Sequence, residues 1–458
     1  MANIVTGHRR VALRRSVLAN AKTTLGIFLL AMVLGACRQS PREPVTLRFP
    51  HSWLARPDEL SKLQALSEQF TQKTGIRITN IPTPESTLDN LELSRKLLRE
   101  GSSGADLLTI DLIWSPILEP DLIDLQPNLA AEISLLEPQL LSGYTVNQKL
   151  VAVPDNVPRG ALEYRTDLLR EYGYDHPPKT WDELENMAQR IQNGERAKGN
   201  KDFWGYVWQG ATAEALTCNA LEWQVAEGGG RIIEKDRRIS VNNPAAMRAW
   251  QRARRWIGWI SPPAVIAYRE RDSMNVFDSG GAAFDRIWLV TPITKTGQAR
   301  RIGWRSTLSL VKTGFASMPG GPGGAAGTLG GDGFAVSRYS AHRQEAITLV
   351  RFLLRAQIQA SEKESDSGGP PAQPEFYDPL SISNSNVDVI ESNQRASGIV
   401  TRPSVEAGNT YEQVTRAYFA AVHSVLTGQK DAREAAAELE KHLIEITSFS
   451  TGPPRRAP

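Results

Sequence analysis

The segment from Val45 to Trp114 constrains the fold most, because it switches repeatedly between two hydrophobic periods. Val45-Thr-Leu-Arg-Phe49 alternates like a strand, and the apolar positions Leu60, Leu63, Leu66 and Phe70 then recur at helical spacing. Gly75 ends that helix, Ile76-Arg-Ile-Thr-Asn80 reads as a second strand, and Leu88 to Leu98 repeats the helical pattern before Gly101-Ser-Ser-Gly104 breaks it. A third strand, Asp106-Leu-Leu-Thr-Ile-Asp-Leu-Ile-Trp114, follows. This order predicts βαβ units and a mainly parallel sheet, whose ligands sit beyond the carboxyl ends of the strands. Asp111 and Trp114 stand at such an end. A carboxylate beside a ring suits a sugar hydroxyl, and equally Asp111 can cap the turn that follows.

The first residues form a different kind of segment. Arg9, Arg10, Arg14, Arg15 and Lys22 come without an acid, and the apolar run Leu25 to Leu34 then leads into Gly35-Ala36-Cys37. The run is shorter than the ~20 residues that span a bilayer, so 1–36 reads as a secretory signal peptide. Leu34-Gly-Ala-Cys37 resembles a bacterial lipobox, which implies cleavage before Cys37, lipidation of that cysteine and a tether over 37–44; a plain signal with an incidental cysteine is the other reading. The paired arginines match twin-arginine export poorly. The whole chain carries a formal charge of +3, and loss of the five basic residues leaves about −2, which argues against a nucleic-acid partner. With Cys37 lipidated, Cys218 has no disulfide partner and reads as a small buried hydrophobe.

Further along, Phe203 to Gly230 collects Phe203, Trp204, Tyr206 and Trp208 ahead of a helix-like run with Glu214, Asn219, Glu222 and Trp223. Rings cover the C–H faces of a pyranose while carboxylates and amides take its hydroxyls, so the mixture suits a carbohydrate cleft; the same aromatics could instead be core. Catalytic motifs are absent. The six histidines lie far apart, no H-E-x-x-H, G-x-S-x-G or Walker loop occurs, and no metal, cofactor or catalytic residue is expected. Asp111, Glu163, Glu214 and Asp332 could on paper supply a glycosidase pair. The glycine tract Gly320 to Gly331 reads as a flexible loop rather than a phosphate cradle, and Ser448 to Pro458 as a frayed tail.

A collinear series of motifs resembles the extracellular sugar-binding proteins of bacterial ABC importers, of the maltose and trehalose type. The series comprises Asp106 to Pro116 with Leu122-Ile-Asp-Leu-Gln-Pro127, Val151-Ala-Val-Pro154 with Tyr164 to Leu169, Pro178 to Leu184, Thr217 to Trp223, Phe277 to Phe284 with Trp288, and Arg402-Pro-Ser404. The resemblance implies an α/β, two-lobe periplasmic-binding-protein fold of type II, with solute gripped between lobes that close about a hinge. Residues 45–155 and 285–335 would form one lobe and 156–284 and 336–447 the other. The first crossing would lie near Val153–Gly160 and the return near Ala282–Trp288. It further implies a monomer, lipid-tethered outside the cytoplasmic membrane, that delivers a di- or oligosaccharide or a glucosyl-polyol to permease subunits driven by a cytoplasmic ATPase and breaks no bonds. A glycoside-cleaving enzyme, or a binder of a non-sugar solute, is the alternative.

Carried over residue by residue, Asp111 takes the family's sugar-contacting acidic position, Trp114 shares its strand end, Asn219 and Glu222 lie in the second-lobe motif, and Arg402 opens the Arg-Pro element. Trp208 either stacks on a ring or is core. Two departures bear on the ligand. An acidic position of the crossover is Pro158, followed by Arg159, and a stacking tryptophan is replaced by Asp332. Such swaps alter specificity because buried polar groups demand partners.

Overall fold

The computed structural model describes residues 44–50, 57–84, 86–136, 138–291, 302–303, 311–366 and 398–455. The signal segment and Cys37 lie outside them. As the alternating periods predict, β1 (Thr46–Pro50) and β2 (Arg77–Ile81) pair in parallel around α1 (Pro57–Thr74). α2 (Thr87–Arg99) starts at Ser86, whose hydroxyl accepts from the Asp89 amide, and buries Leu88, Leu91, Leu97 and Leu98. β3 (Leu107–Asp111) is fastened to β1 through Asp106: its carboxylate accepts the Arg48 amide at 2.9 Å, and its own amide donates to the Arg48 carbonyl at 3.0 Å.

The architecture turns on β4 (Val153–Arg165). After it come α3 (Thr166–Glu171), α4 (Trp181–Ala197), β5 (Trp204–Val207), α5 (Glu214–Ala226), α6 (Pro244–Trp256), α7 (Glu270–Asp278) and β6 (Ala282–Thr291). The chain continues through β7 (Thr313–Ser317), β8 (Gly324–Thr328), β9 (Asp332–Val336), α8 (Arg343–Asp366), β10 (Gly398–Val400), α9 (Tyr411–Leu426) and α10 (Ala432–Thr447). A seven-stranded sheet runs β3–β9–β4–β6–β5, with β7 beside β4 and Ile302–Gly303 beside β6. Only β5 and β6 are parallel in it. The mainly parallel sheet expected from the sequence is therefore limited to β1–β2, β5–β6 and the separate pair β8–β10. Local periodicity registers each strand but not the direction in which distant chain returns.

Residues 153–156 of β4 pair with β9, and residues 157–164 pair with β6. β4 thus changes its partner strand between residues 156 and 157. The return differs: β6 and β7 stay with the second part of β4, and the chain rejoins β3 only at Asp332. α8 differs too. Its Phe352 ring lies 5.4 Å from Phe70 of α1 and Arg355 is paired with Glu132 at 2.6 Å, so it packs on the first segment rather than with α9 and α10, which pack on α5 and α6.

Two stretches expected to be loose are held in place. A Cβ at Gly321, Gly323 or Gly327 would come within 2.6, 2.2 and 2.6 Å of the Ala226, Val225 and Gly160 carbonyl oxygens, so the glycine tract is backbone laid directly on α5 and β4. The tail is likewise bound. Ile239 donates to the Ser450 carbonyl at 2.9 Å and Gly452 returns a bond to Ile239 at 3.0 Å.

Candidate functional site

Asp111 and Asp332 face the same way at the ends of neighbouring strands, directly opposite in the β3–β9 register. The strand stops at Asp111 because its carboxylate accepts the Ile113 amide at 3.2 Å and turns the next three residues into a tight helical turn. The capping role is therefore present, and the carboxylate has a second partner. Arg402 donates to Asp111 at 3.1 Å and to Glu214 at 3.1 Å, bringing the end of β3, the segment after β10 and the first turn of α5 onto one guanidinium. Tyr411 and Thr415 of α9 both donate to Glu214, and Thr217 donates to Thr415 at 2.7 Å.

The electrostatics follow from enclosure. Arg402 is 2% exposed at its side chain and Asp111 17%, so Asp111 is the member of the pair that still reaches an opening. Burial pushes the Asp111 carboxyl above its ordinary range against the pull of Arg402. Burial works against the charge of Arg402 as well, yet Asp111 foremost, with Glu214, holds the guanidinium well above its usual value. Around this network sit polar atoms without partners among the described residues: Trp114 Nε1, Tyr144 Oη and Arg402 Nε. Tyr144 belongs to the same cluster, since burial and then the charges of Asp332, Asp111 and Asp155 push its phenol well above the usual value.

The second-lobe candidates have a different environment. Trp208 is fully enclosed, with its ring 5.0 Å from Trp223 and 6.4 Å from Trp256 and its Nε1 donating to Ser261 at 3.1 Å. No face is free for a sugar. Asn219, also fully buried, donates to Gln209 at 3.0 Å and to the Ala215 carbonyl at 2.8 Å. Glu222 accepts two bonds from Arg286, at 2.6 and 3.2 Å, and one from the Thr328 amide at 2.9 Å. These three are spent on partners within the interior and make no hydrogen bond to Asp111 or Arg402. The reason is that α5 is buried on nearly all sides, so its polar residues find partners within the core.

Sequence reasoning passed over several members. Tyr144 and Tyr411 carry no local signal, because each acquires its place from segments far away in the chain. Trp288 was quoted only as part of a motif. It is half-buried, its ring lies 4.0 Å from the Arg286 guanidinium carbon, and it packs so tightly on Gly330 that a Cβ there would stand 2.9 Å from the indole.

Residues 56–360 match the family model described as bacterial extracellular solute-binding protein. Over 426 residues the chain is 36% identical to a probable ABC transporter-binding protein of Deinococcus radiodurans, covering 91% of this chain and 97% of that one. The chain belongs to the bacterial extracellular solute-binding protein family. Maltose-bound MalE3 of T. maritima superimposes with a TM-score of 0.71 at 29% identity, over 88% of this chain and 100% of that one. The GacH receptor of Streptomyces glaucescens, solved unliganded and with acarbose, gives 0.67 at 20% identity over 89% and 100%, a likeness of fold. The fold is thus the two-lobe α/β architecture of these binding proteins. The family is one of extracytoplasmic solute receptors, not of enzymes. Among the described residues no helix is long and apolar enough to cross a membrane.

Proposed function

We propose that this protein captures a small polyhydroxylated solute, a sugar or sugar alcohol, over the ends of β3 and β9 and hands it to the permease subunits of an ABC importer. One observation carries the reading. Trp114 Nε1, Tyr144 Oη and Arg402 Nε are buried polar groups without partners beside two half-buried carboxylates, Asp111 and Asp332. Gathered beside carboxylates that still reach solvent, these donors and the phenol suit a partner rich in hydroxyls. Asp111 and Asp332 would accept from adjacent hydroxyls, Arg402 would fix Asp111, and Trp114 and Trp288 would border the ring. Trp208, Asn219 and Glu222 would act from beneath, by holding α5 against β6 and β8.

Closure would pivot within β4 near residue 157 and again between β8 and β9, the two places where a strand passes from one pairing partner to another. The relatives support the solute class: solved structures of similar fold are described with maltose, ribitol and D-mannitol. Cys37 would carry the lipid that tethers a monomer outside the cytoplasmic membrane, and no bond of the solute would be made or broken.

Calorimetry of the soluble domain against maltose, trehalose, sucrose, ribitol and mannitol tests the reading, with product analysis of each mixture. A ligand recovered intact, and bound at least tenfold more weakly by Asp111→Asn or Asp332→Asn, is expected; tenfold corresponds to about 1.4 kcal/mol. Unchanged affinity in both folded variants removes the site. Cleaved product would favour the glycosidase alternative.

A further inference from the structure

Arg159 is a buried cation with no counter-charge among the described residues. It is 6% exposed, and its Nε and Nη2 have no hydrogen-bond partner. Among the described residues no carboxylate offsets the effect of enclosure: burial lowers the guanidinium to about 10, which still leaves it charged at neutral pH. A buried unpaired charge costs several times more than an unmade hydrogen bond, so such a group requires either a partner or an exit to solvent.

The surroundings show what the partner is. Strand alternation turns Arg159 away from Gly160, whose missing side chain makes room for Glu222 and Arg286, and toward the face of β4 shared with Ala161 and with Ser317 of β7. Arg159 and Ser317 line one cavity of about 10 Å³, together with Gly160, Met318, Ala326, Gly327, Gly398 and Ile399. Ser317 Oγ is also buried without a partner. The cavity therefore holds a guanidinium and a hydroxyl against apolar and glycine walls. A volume of this size admits one atom about as large as a water oxygen. Gly398 and Ile399 in its wall are exposed, so it is the depth beside the guanidinium that takes a single atom of the occupant, and a neutral water would satisfy N–H groups there without neutralising the charge.

We propose that Arg159 and Ser317 form an anion site of single-atom size, occupied by a halide ion or by one oxygen of a solute carboxylate. The site lies where β4, β7, β8 and β10 converge, next to the point at which a Cβ on Gly327 would stand 2.6 Å from the Gly160 carbonyl. An occupant there binds together strands on either side of that close approach. The site shares no residue with the Asp111 and Arg402 network, so its halide readout does not depend on which neutral solute is bound, although Leu329, bridged to Arg159, also accepts from Arg402 at 3.5 Å.

The test uses the soluble domain dialysed into potassium sulfate and titrated with potassium chloride or bromide at constant ionic strength. Wild type should show a melting temperature that rises and saturates with halide, and crystals soaked in bromide should show an anomalous peak between Arg159 and Ser317. Arg159→Met should lose the saturable rise, and Ser317→Ala, which disturbs packing least, should weaken halide affinity roughly tenfold. A second arm titrates D-galacturonate against D-galactose. Binding of the acid alone, lost in Arg159→Met and competed by bromide, assigns the anion to the solute. Equal salt responses in wild type and both variants, with no bromide peak and no preference for the acid, overturn the proposal. A failure of every neutral sugar to bind leaves the bromide readout intact, so the two readings fail separately.

Discussion

Arg286 and Glu222 illustrate how far a residue's role depends on its partner. Both side chains are wholly enclosed, joined by two bonds, and the guanidinium also lies on the ring of Trp288. Glu222→Gln is expected to destabilise the fold by about 3 kcal/mol, since it leaves Arg286 charged and buried. The double variant Glu222→Leu with Arg286→Met should recover most of that loss in urea melts, which distinguishes an unpaired charge from lost packing. Asp285, opposite Glu163 across β4 and β6, offers a pH readout. Burial first, and then the charge of Glu163, pushes its carboxyl well above the ordinary range. The folded state then retains a proton that the unfolded chain releases, so the contribution is complete below the usual carboxylate pKa and is lost as pH rises through the raised value. Thermal melts should show wild type losing stability from about pH 4 upward relative to Asp285→Asn, with the variant the more stable at pH 8 and the two converging at low pH. Parallel curves would mean that Asp285 is ionised in the fold.

Among the elements, β8 depends most on what it lacks. Gly327 places its backbone against the carbonyl of Gly160, and Gly321 and Gly323, just before the strand, lie against α5, where a side chain would collide. Gly327→Ala should separate β8 from β4 at a cost of about 1–3 kcal/mol, read as a lower urea midpoint with an unchanged slope. A glycine-rich run looks like a flexible loop in sequence, because composition records the absence of side chains but not the surface that demands it. The strand of β3 shows the converse. Its apolar run was legible, but the strand expected to reach Trp114 stops at Asp111, because that carboxylate accepts the Ile113 amide and turns the chain. That Arg402 would arrive at that end from 291 residues away was visible only through family resemblance.

At the scale of the molecule, Cys218 reports on integrity. Burial pushes its thiol well above the ordinary value, and its carbonyl accepts from Thr328 of β8 at 3.1 Å, so it lies where α5 meets the glycine-rich strand. A neutral aromatic disulfide reagent should label it only through unfolding, at a rate that follows denaturant; labelling in native buffer within minutes would mean that α5 and β8 separate readily. Tryptophan fluorescence should change on solute binding mainly through Trp114 and Trp288, because Trp208, Trp223 and Trp256 are packed edge to face in a closed cluster. Replacing Trp288 by Leu should therefore reduce the signal more than replacing Trp208, even though Trp208 belongs to the most aromatic stretch of the chain.

Local chemistry determined β1, β2, the apolar run of β3 and the helices α1, α2, α8, α9 and α10, because period and turn residues act over a few positions. It could not decide strand direction in the central sheet, the side of the molecule on which α8 packs, or whether a tryptophan faces solute or core. Those depend on which distant segments meet. Tertiary structure brought Tyr144 and Glu214 to Asp111 and Arg402, and left Arg159 without a partner among the described residues, because burial and pairing are properties of neighbours that the chain order does not record.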